Sequence, residues 1–249
     1  MKRTQILMDM PITVEIVDRA ADPATLDRIY DYFTYVDETF STFKQSSEIS
    51  LINRGGVKPK AYSRDMRAVL HLCRETREIS GGYFDIGPRG HWDPSGLVKG
   101  WAINNAAQRL LSLGHRNFYI EAGGDIQAFG RNAGHEQWRV GIRNPFAMTE
   151  IVKVLMIENQ GVATSGTYIR GQHIRDPHSP ESPLTEIVSL TVVGDNVLDA
   201  DRFATAAFAM GRGGIYFIES CPGLEGCLID QTGIATFTSG FAQFMAPAP

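Results

Sequence analysis

The stretch Asp93-Pro-Ser-Gly-Leu-Val-Lys-Gly-Trp-Ala102 joins an acidic residue and a small-residue turn directly to a helical pattern, which Gly114 ends. The apolar positions of this helix are Val98, Ala102, Ala106, Leu110 and Leu113. The N-terminus of such a helix offers unpaired N–H groups and the positive end of its dipole to a phosphate. The alternative is an ordinary turn packed against a helix, because small-residue turns often precede helices.

The composition restricts the class of protein. The chain has 249 residues, 43% of them hydrophobic, and is predicted to form one domain over residues 1–249. A net charge of -4 with scattered Lys and Arg argues against nucleic acid as a partner. No apolar run predicts an export signal or membrane insertion, so the sequence predicts a cytoplasmic protein. Three cysteines without C-x-x-C spacing predict neither a zinc site nor a disulfide framework.

The residues before the central stretch carry strand and helix patterns. Apolar residues alternate from Ile6 to Ile16, which predicts one strand broken or bulged near Pro11. Asp22-Pro23 predicts the start of a helix, with Asp22 as its N-cap. The polar segment from Ser41 to Asn53 is predicted to be a surface loop, and Ser63 is predicted to cap the next helix.

The residues after the central helix predict a sheet of short strands. Asn117 to Ala122 is followed by Gly123-Gly124, and the strand is expected to continue from Ile126 to Phe129 across a bulge or a close approach to a ligand. Further short strands follow, together with a helix that is predicted to begin at Asp199, to include Asp201 and Thr205, and to stop at Gly211. Because strands and helices are mixed irregularly, the sequence predicts an α+β fold with mixed or antiparallel sheets packed against helices.

Asp201 and Thr205 are candidate metal ligands. They lie one helical turn apart, so a carboxylate and a hydroxyl share one face of the helix. Both are hard oxygen donors, which suit Mg²⁺ or Ca²⁺ and are poor ligands for zinc. The alternative is that Asp201 is an ordinary acidic residue of the first helical turn and Thr205 is a buried helix residue.

The second dense polar stretch runs from Ser165 to Pro177. His173 could act as a general base near neutral pH, or could be a hydrogen-bonded surface group. Arg170 and Arg175 could bind phosphate oxygens, or could pair with Asp176. Outside this stretch, Lys99 could reach a phosphate or a ring carbonyl, although exposed lysines are common.

Nine segments of the chain occur in the order found in one known family. They are Met8 with its alternating strand, 46–53, Tyr83-Phe84-Asp85, 93–102, Ala122-Gly-Gly-Asp125, 138–145, 163–168, 173–177 and 200–205. With these segments the chain resembles the FAD:protein FMN transferases, the ApbE family, over nearly its whole length. The resemblance implies an ApbE-like, T-fold-like architecture. It also implies Mg²⁺-dependent transfer of FMN from FAD to a threonine hydroxyl of an acceptor protein, with release of AMP.

The resemblance also implies roles for individual residues. Asp201, Thr205 and the backbone carbonyl of Gly96 correspond to the metal ligands of the family. His173 corresponds to the catalytic histidine and is predicted to activate the acceptor threonine. The positions that correspond to the family's FAD contacts are Met8, Phe43, Tyr83, Phe84, Asp85, Asp93, Lys99 and Ile174.

The chain departs from the family pattern at four places, one of which is the segment between Asp85 and Asp93, which is shorter than in the family. Asp9 and Met10 follow Met8 where the family has glycine and threonine, and Phe43 stands where many members have tyrosine. His178-Ser179-Pro180 replaces the usual threonine and glycine after Asp176-Pro177.

Two other functions compete with the transferase. One is a metal-dependent FAD diphosphatase, which would use water in place of threonine and yield FMN and AMP. The other is a non-catalytic FAD-binding protein, against which the presence of His173, Asp201 and Thr205 argues.

Overall fold

The computed structural model describes residues 1–87, 90–167 and 174–247. The helices are α1 (Pro23–Phe40), α2 (Glu48–Asn53), α3 (Arg64–Ile79), α4 (Ser95–Ser112), α5 (Val197–Ala209) and α6 (Gly214–Ser220). The strands are β1 (Lys2–Leu7), β2 (Met10–Ile16), β3 (Phe118–Ala122), β4 (Asp125–Phe129), β5 (Trp138–Asn144), β6 (Ala147–Ile157), β7 (Gly161–Gly166), β8 (Ile187–Gly194), β9 (Glu225–Asp230) and β10 (Ala235–Phe237). Within the described ranges, no helix has both the length and the apolar composition needed to cross a membrane.

The strands form one large and one small sheet. The large sheet has the order β1-β2-β3-β4-β7-β8-β9-β10, and each neighbouring pair is antiparallel. Strands β5 and β6 form a separate antiparallel pair. This arrangement agrees with the predicted α+β class and, among the described residues, is antiparallel throughout. The prediction of one domain over residues 1–249 stays a prediction.

Helices cover one face of the large sheet, and the β5–β6 pair covers the other. Along β8 and β9, successive apolar side chains enter two different cores, because neighbouring residues of a strand point to opposite faces. Val192 and Leu228 pack among the helices, whereas Val193 and Ile229 pack with Trp138 and its neighbours on β5 and β6. The sheet therefore lies between two apolar layers.

Helices α4 and α5 approach each other closely because small residues lie at their contact. A Cβ atom added at Gly100 would lie 2.6 Å from Cβ of Asp201 and 2.7 Å from the carbonyl oxygen of Val197. One turn earlier, a Cβ atom at Gly96 would lie 3.0 Å from Cγ2 of Thr205. The two glycines thus bring one face of α5 against the first turns of α4.

Two hairpins stand where the sequence predicted continuous strands. The prediction of a single strand from Ile6 to Ile16 is wrong, because Met8 and Asp9 have φ values of 53° and 57° and form a two-residue turn between β1 and β2. The predicted continuation across Gly123-Gly124 is also wrong. These glycines have φ values of 58° and 98°, so β4 reverses and pairs with β3.

Two further differences concern helices: a short helix inside a predicted loop, and the first residue of α5. The predicted loop from Ser41 to Asn53 contains α2, because the Ser47 hydroxyl accepts the Ser50 N–H group (3.2 Å) and caps a short helix. Helix α5 begins at Val197 and not at the predicted Asp199, since Asn196 is its N-cap. The predicted N-caps Asp22 and Ser63 are confirmed.

Candidate active site

A cavity of about 640 Å³ opens at the N-terminus of α4. Its wall also includes the turn between β3 and β4, the end of β7, one face of α5, and the segments that follow α3 and precede β8. The lining residues are Tyr83, Phe84, Asp85, Ile86, His91, Asp93, Ser95, Gly96, Lys99, Gly123, Thr164, Ser165, Gly166, Ile174, Arg175, Asp176, Pro177, Pro180, Glu181, Asp201 and Thr205. Its volume is in the range of small-molecule sites.

Two buried carboxylates and one lysine form the charged part of this wall. The Lys99 ammonium lies 2.6 Å from Oδ2 of Asp125 and 3.6 Å from Oδ1 of Asp201. Oδ2 of Asp201 accepts the backbone N–H of Gly100 at 2.8 Å, and Oδ1 of Asp125 accepts the N–H of Thr164 at 3.1 Å. The three side chains have a formal charge of -1 when both carboxylates are ionised, so the group attracts a further cation.

The surroundings of Asp201 disfavour its charged form. Burial raises the pKa of this carboxyl well above its usual range, and the neighbouring Asp125 raises it further, whereas Lys99 and the N–H of Gly100 oppose the change. An additional cation near the carboxylate would stabilise the ionised form in the same way as Lys99 does.

The neighbouring oxygens fit a hard divalent cation. The Thr205 hydroxyl donates a hydrogen bond to the carbonyl of Gly96 at 3.2 Å, beside the Asp201 carboxylate on the same wall. Among residues 1–87, 90–167 and 174–247, no group of three or more His, Cys, Asp or Glu side chains is arranged to hold a metal. A site here would therefore use a carboxylate together with hydroxyl and carbonyl oxygens, which suits Mg²⁺ better than zinc.

Most of the residues predicted to contact FAD lie on this wall. They are Tyr83, Phe84, Asp85, Asp93, Lys99 and Ile174. Phe84 is only 3% exposed, so most of its ring belongs to the core. Oδ1 of Asp93 accepts the N–H of Ser95 at 3.0 Å, and Oδ1 of Asp85 accepts the N–H of Gly87 at 2.8 Å. These bonds shape the loop that leads into α4.

Other predicted residues lie elsewhere. Met8 is in the turn between β1 and β2, and Phe43 follows α1 with 86% of its surface exposed; neither lines the cavity. His173 and Arg170 lie outside the described residues. The ligand contacts and the catalytic role assigned to these positions stay predictions.

Two residues near the cavity were not singled out from the sequence. Asp125 is 1% exposed and is the first residue of β4. Its position directly after Gly123-Gly124 is the feature of the sequence that could have identified it, since such a turn places the carboxylate at the start of a strand. From the sequence alone, His178 is recognisable only as a departure from the family pattern. Its ring lies edge-on to that of Tyr83, with centroids 4.7 Å apart, and its Nε2 lies 3.1 Å from the carbonyl oxygen of Gly81. His178 thus joins two loops of the cavity rim.

Known proteins resemble parts of this chain. An FAD:protein FMN transferase of Vibrio cholerae serotype O1 is 31% identical over 158 residues, which are 60% of this chain and 46% of that protein. An FAD:protein FMN transferase of Rhodobacter capsulatus is 33% identical over 133 residues, which are 50% of this chain and 25% of that protein. The chain therefore spans less than half the length of these relatives.

Solved structures resemble nearly the whole chain. The flavin transferase ApbE of Vibrio cholerae has a TM-score of 0.88 with 22% identity, over 98% of both chains. The ApbE protein of Thermotoga maritima has a TM-score of 0.87 with 19% identity, over 99% of both chains. At these identities the likeness establishes the fold. The ApbE family model matches residues 8–90 and 87–228, and because these ranges span most of the sequence, the chain belongs to the ApbE family.

Proposed function

We propose that this chain is a Mg²⁺-dependent flavin transferase, which moves FMN from FAD to a threonine hydroxyl of an acceptor protein and releases AMP. The observation that carries the proposal is the group of oxygens from Gly96, Thr205 and Asp201 beside Lys99 in the large cavity of an ApbE-family chain. Relatives named FAD:protein FMN transferase support the same chemistry. Because the chain spans less than half of those relatives, its activity, substrate and partner are all part of the proposal.

The proposed reaction forms one P–O bond and breaks another. The acceptor threonine oxygen attacks the phosphorus of the FMN half of FAD, the bond between this phosphorus and the bridging oxygen of the diphosphate breaks, and AMP leaves with the bridging oxygen. The threonine proton passes to a base, for which His173 is the prediction from the sequence. Bound Mg²⁺ would neutralise charge on the diphosphate, with Gly96, Thr205 and Asp201 as its protein ligands.

The residues of the cavity are suited to orient FAD. The N-terminus of α4 presents its dipole to the cavity, and Lys99 adds a positive charge one turn later, so the diphosphate is expected here. Tyr83 and Ile174 offer an aromatic ring and an aliphatic side chain to the flavin. This orientation would hold the diphosphate near the residues that we propose as ligands of the metal.

The decisive experiment incubates the protein with FAD, Mg²⁺ and a threonine-bearing acceptor domain. Intact mass and in-gel flavin fluorescence then report whether the acceptor has gained one FMN. We expect labelling that a chelator abolishes and that requires the acceptor threonine. Free FMN and AMP without labelling would replace the proposal with an FAD diphosphatase, and bound but unchanged FAD would indicate a non-catalytic flavin-binding protein.

The proposed base has a separate test. We expect His173→Ala to bind FAD normally while transfer falls by roughly two to four powers of ten, the usual effect of losing a general base. Weaker FAD binding with an unchanged transfer rate would make His173 a binding residue instead. The cytoplasmic location and an acceptor protein that carries a threonine flavinylation site stay predictions from the sequence.

A further inference from the structure

Lys99 lies between two buried carboxylates but is not shared equally by them. Its ammonium is 2.6 Å from Oδ2 of Asp125 and 3.6 Å from Oδ1 of Asp201. The attraction between opposite charges falls with distance, so Asp125 is the main counter-ion of Lys99 in this arrangement. Asp201, the carboxylate beside Gly96 and Thr205, is the secondary one.

The position of Lys99 matters because an ammonium and a divalent cation would compete for the same oxygen. Oδ2 of Asp201 already accepts the N–H of Gly100 at 2.8 Å, and Oδ1 is the oxygen that faces Lys99. A shift of Lys99 by less than 1 Å would place it in direct contact with this oxygen, whose distance from the ammonium is now 3.6 Å. Any group that holds Lys99 back keeps Oδ1 accessible to a metal ion.

Asp125 is built to hold Lys99 in place. It is 1% exposed and lies at the first position of β4, directly after a two-glycine turn. Its Oδ1 accepts the N–H of Thr164 on the adjacent strand β7 at 3.1 Å, which fixes the carboxylate to the sheet. Its other oxygen contacts Lys99, so the ammonium is anchored to the sheet and not to a loop.

We propose that Asp125 is a positioning residue that holds the Lys99 ammonium away from Asp201 and so leaves Asp201 available to a divalent cation. This inference rests on the metal ligands of the proposed function. Asp125 is not among the residues to which the family resemblance assigns a role. Asp125 acts through Lys99 and need not contact the metal.

The first test measures Mg²⁺ binding to the flavin-free protein by calorimetry. In Asp125→Asn, Lys99 loses its main counter-ion and is expected to pair with Asp201, so Mg²⁺ should bind at least tenfold more weakly. Glu181→Gln is the matched control, because it also removes one negative charge from the cavity wall. Unlike Asp125 and Asp201, Glu181 does not form an ion pair with Lys99. Its Mg²⁺ affinity should change less than threefold, and an equal loss in both variants would overturn the proposal.

The second test separates competition by Lys99 from simple loss of charge. Adding Lys99→Met to Asp125→Asn should restore Mg²⁺ affinity at least tenfold, because the competing ammonium is gone. If charges acted independently, Lys99→Met would improve binding by the same factor with and without Asp125, and that result would overturn the proposal. Lys99→Met alone leaves two buried carboxylates unpaired and is at risk of not folding.

A third measurement does not depend on that single variant. A crystal structure of Asp125→Asn should show the Lys99 ammonium within hydrogen-bond distance of Asp201, and a lysine that stays at its present distance or turns to solvent would contradict the proposal.

Failure of the proposed function and failure of the proposed role of Asp125 give different results. Wild-type protein that binds Mg²⁺ without transferring FMN would refute the proposed function alone. Normal transfer with independent charge effects would refute the role of Asp125 alone, and absence of Mg²⁺ binding would refute both.

Discussion

Two buried carboxylates of this protein are held in opposite ways. Asp230, at the end of β9, accepts hydrogen bonds from the N–H and the hydroxyl of Thr232 at 2.8 and 2.6 Å and from the N–H of Ile234 at 3.1 Å. It also lies 2.9 Å from Arg212. The Thr232 hydroxyl contributes most to these effects, which together lower the pKa of Asp230 to about 2.

Asp201 on the cavity wall shows the reverse. Burial raises its pKa, the nearby Asp125 adds to the rise, and the ammonium of Lys99 offsets only part of it. Asp230 receives its hydrogen bonds from its own turn and its charge partner from Arg212, so we interpret it as a structural group. A buried carboxylate that the fold leaves poorly compensated is suited to bind a cation, and this contrast supports Asp201 as a metal ligand.

The largest effect is expected on FAD turnover, and it distinguishes the proposed metal ligand Asp201 from the structural carboxylate Asp230. Asp201→Ala should reduce Mg²⁺-dependent turnover of FAD to background, because it removes the charged ligand that we propose for a hard cation. Asp230→Ala is the matched control. It should lower stability in urea denaturation but leave the Mg²⁺ dependence of turnover unchanged. Turnover by Asp201→Ala at the wild-type rate in limiting Mg²⁺ would show that the metal assignment is wrong.

A smaller effect is expected at the helix contact that places Asp201. Gly100→Ala should cost about 1–3 kcal/mol of unfolding free energy, because the new methyl group meets the backbone of α5 and cannot be accommodated by a side-chain rotation. Gly213→Ala, where no atom lies within 4 Å of an added Cβ, should change stability by less than about 0.5 kcal/mol. Urea denaturation measures both, and equal stabilities would argue against a tight α4–α5 contact.

The cavity rim depends on contacts between loops, so its variants should affect binding and not chemistry. His178→Ala removes an aromatic contact worth about 0.5–1.5 kcal/mol, and we expect KM for FAD to rise by roughly 2- to 13-fold with kcat unchanged. His178→Phe, which keeps a ring at this position, should retain most of the affinity. His71→Ala, on an exposed part of α3, serves as the control. A fall in kcat with constant KM would place His178 in the chemical step.

The smallest expected effect is a difference in acid stability. The folded pKa of Asp230 is about 2, below its ordinary value of 3.8, so ionised Asp230 stabilises the fold above about pH 4. This contribution is lost as the pH falls from about 4 towards 2. The stability advantage of wild type over Asp230→Asn should therefore shrink over this interval in thermal unfolding at several pH values. A constant difference from pH 6 to pH 2 would refute the assignment.

The sequence predicts those features that depend on neighbouring residues. The i, i+4 spacing placed Asp201 and Thr205 on one helix face, and both line the cavity. The caps Asp22 and Ser63 were recognisable because their side chains bond to N–H groups three residues later. Local patterns of this kind carry their own physical cause, so one sequence is enough to identify them.

Other features depend on conformations or contacts that the local sequence does not specify. Met8 and Asp9 adopt positive φ although neither is glycine, so the first hairpin resembled a single strand. Gly123-Gly124 is compatible with both a bulge and a hairpin turn, and only the pairing of β4 with β3 decides between them. The contact of Lys99 with Asp125 forms only because the chain makes the hairpin turn at this point. For this reason the local sequence does not identify Asp125.

The hydrogen bond from the N–H of Gly100 to Asp201 also affects how the protein is made. The two residues are 101 positions apart, so α4 leaves the ribosome long before α5 has been synthesised. Closure of such a long loop lowers the conformational entropy of the chain before the contacts between α4 and α5 can stabilise the closed form. The cavity wall therefore cannot be completed until most of the chain has emerged. Until then the small-residue face of α4 lacks α5, so a growing chain does not yet have the complete site that we propose for the metal and the flavin.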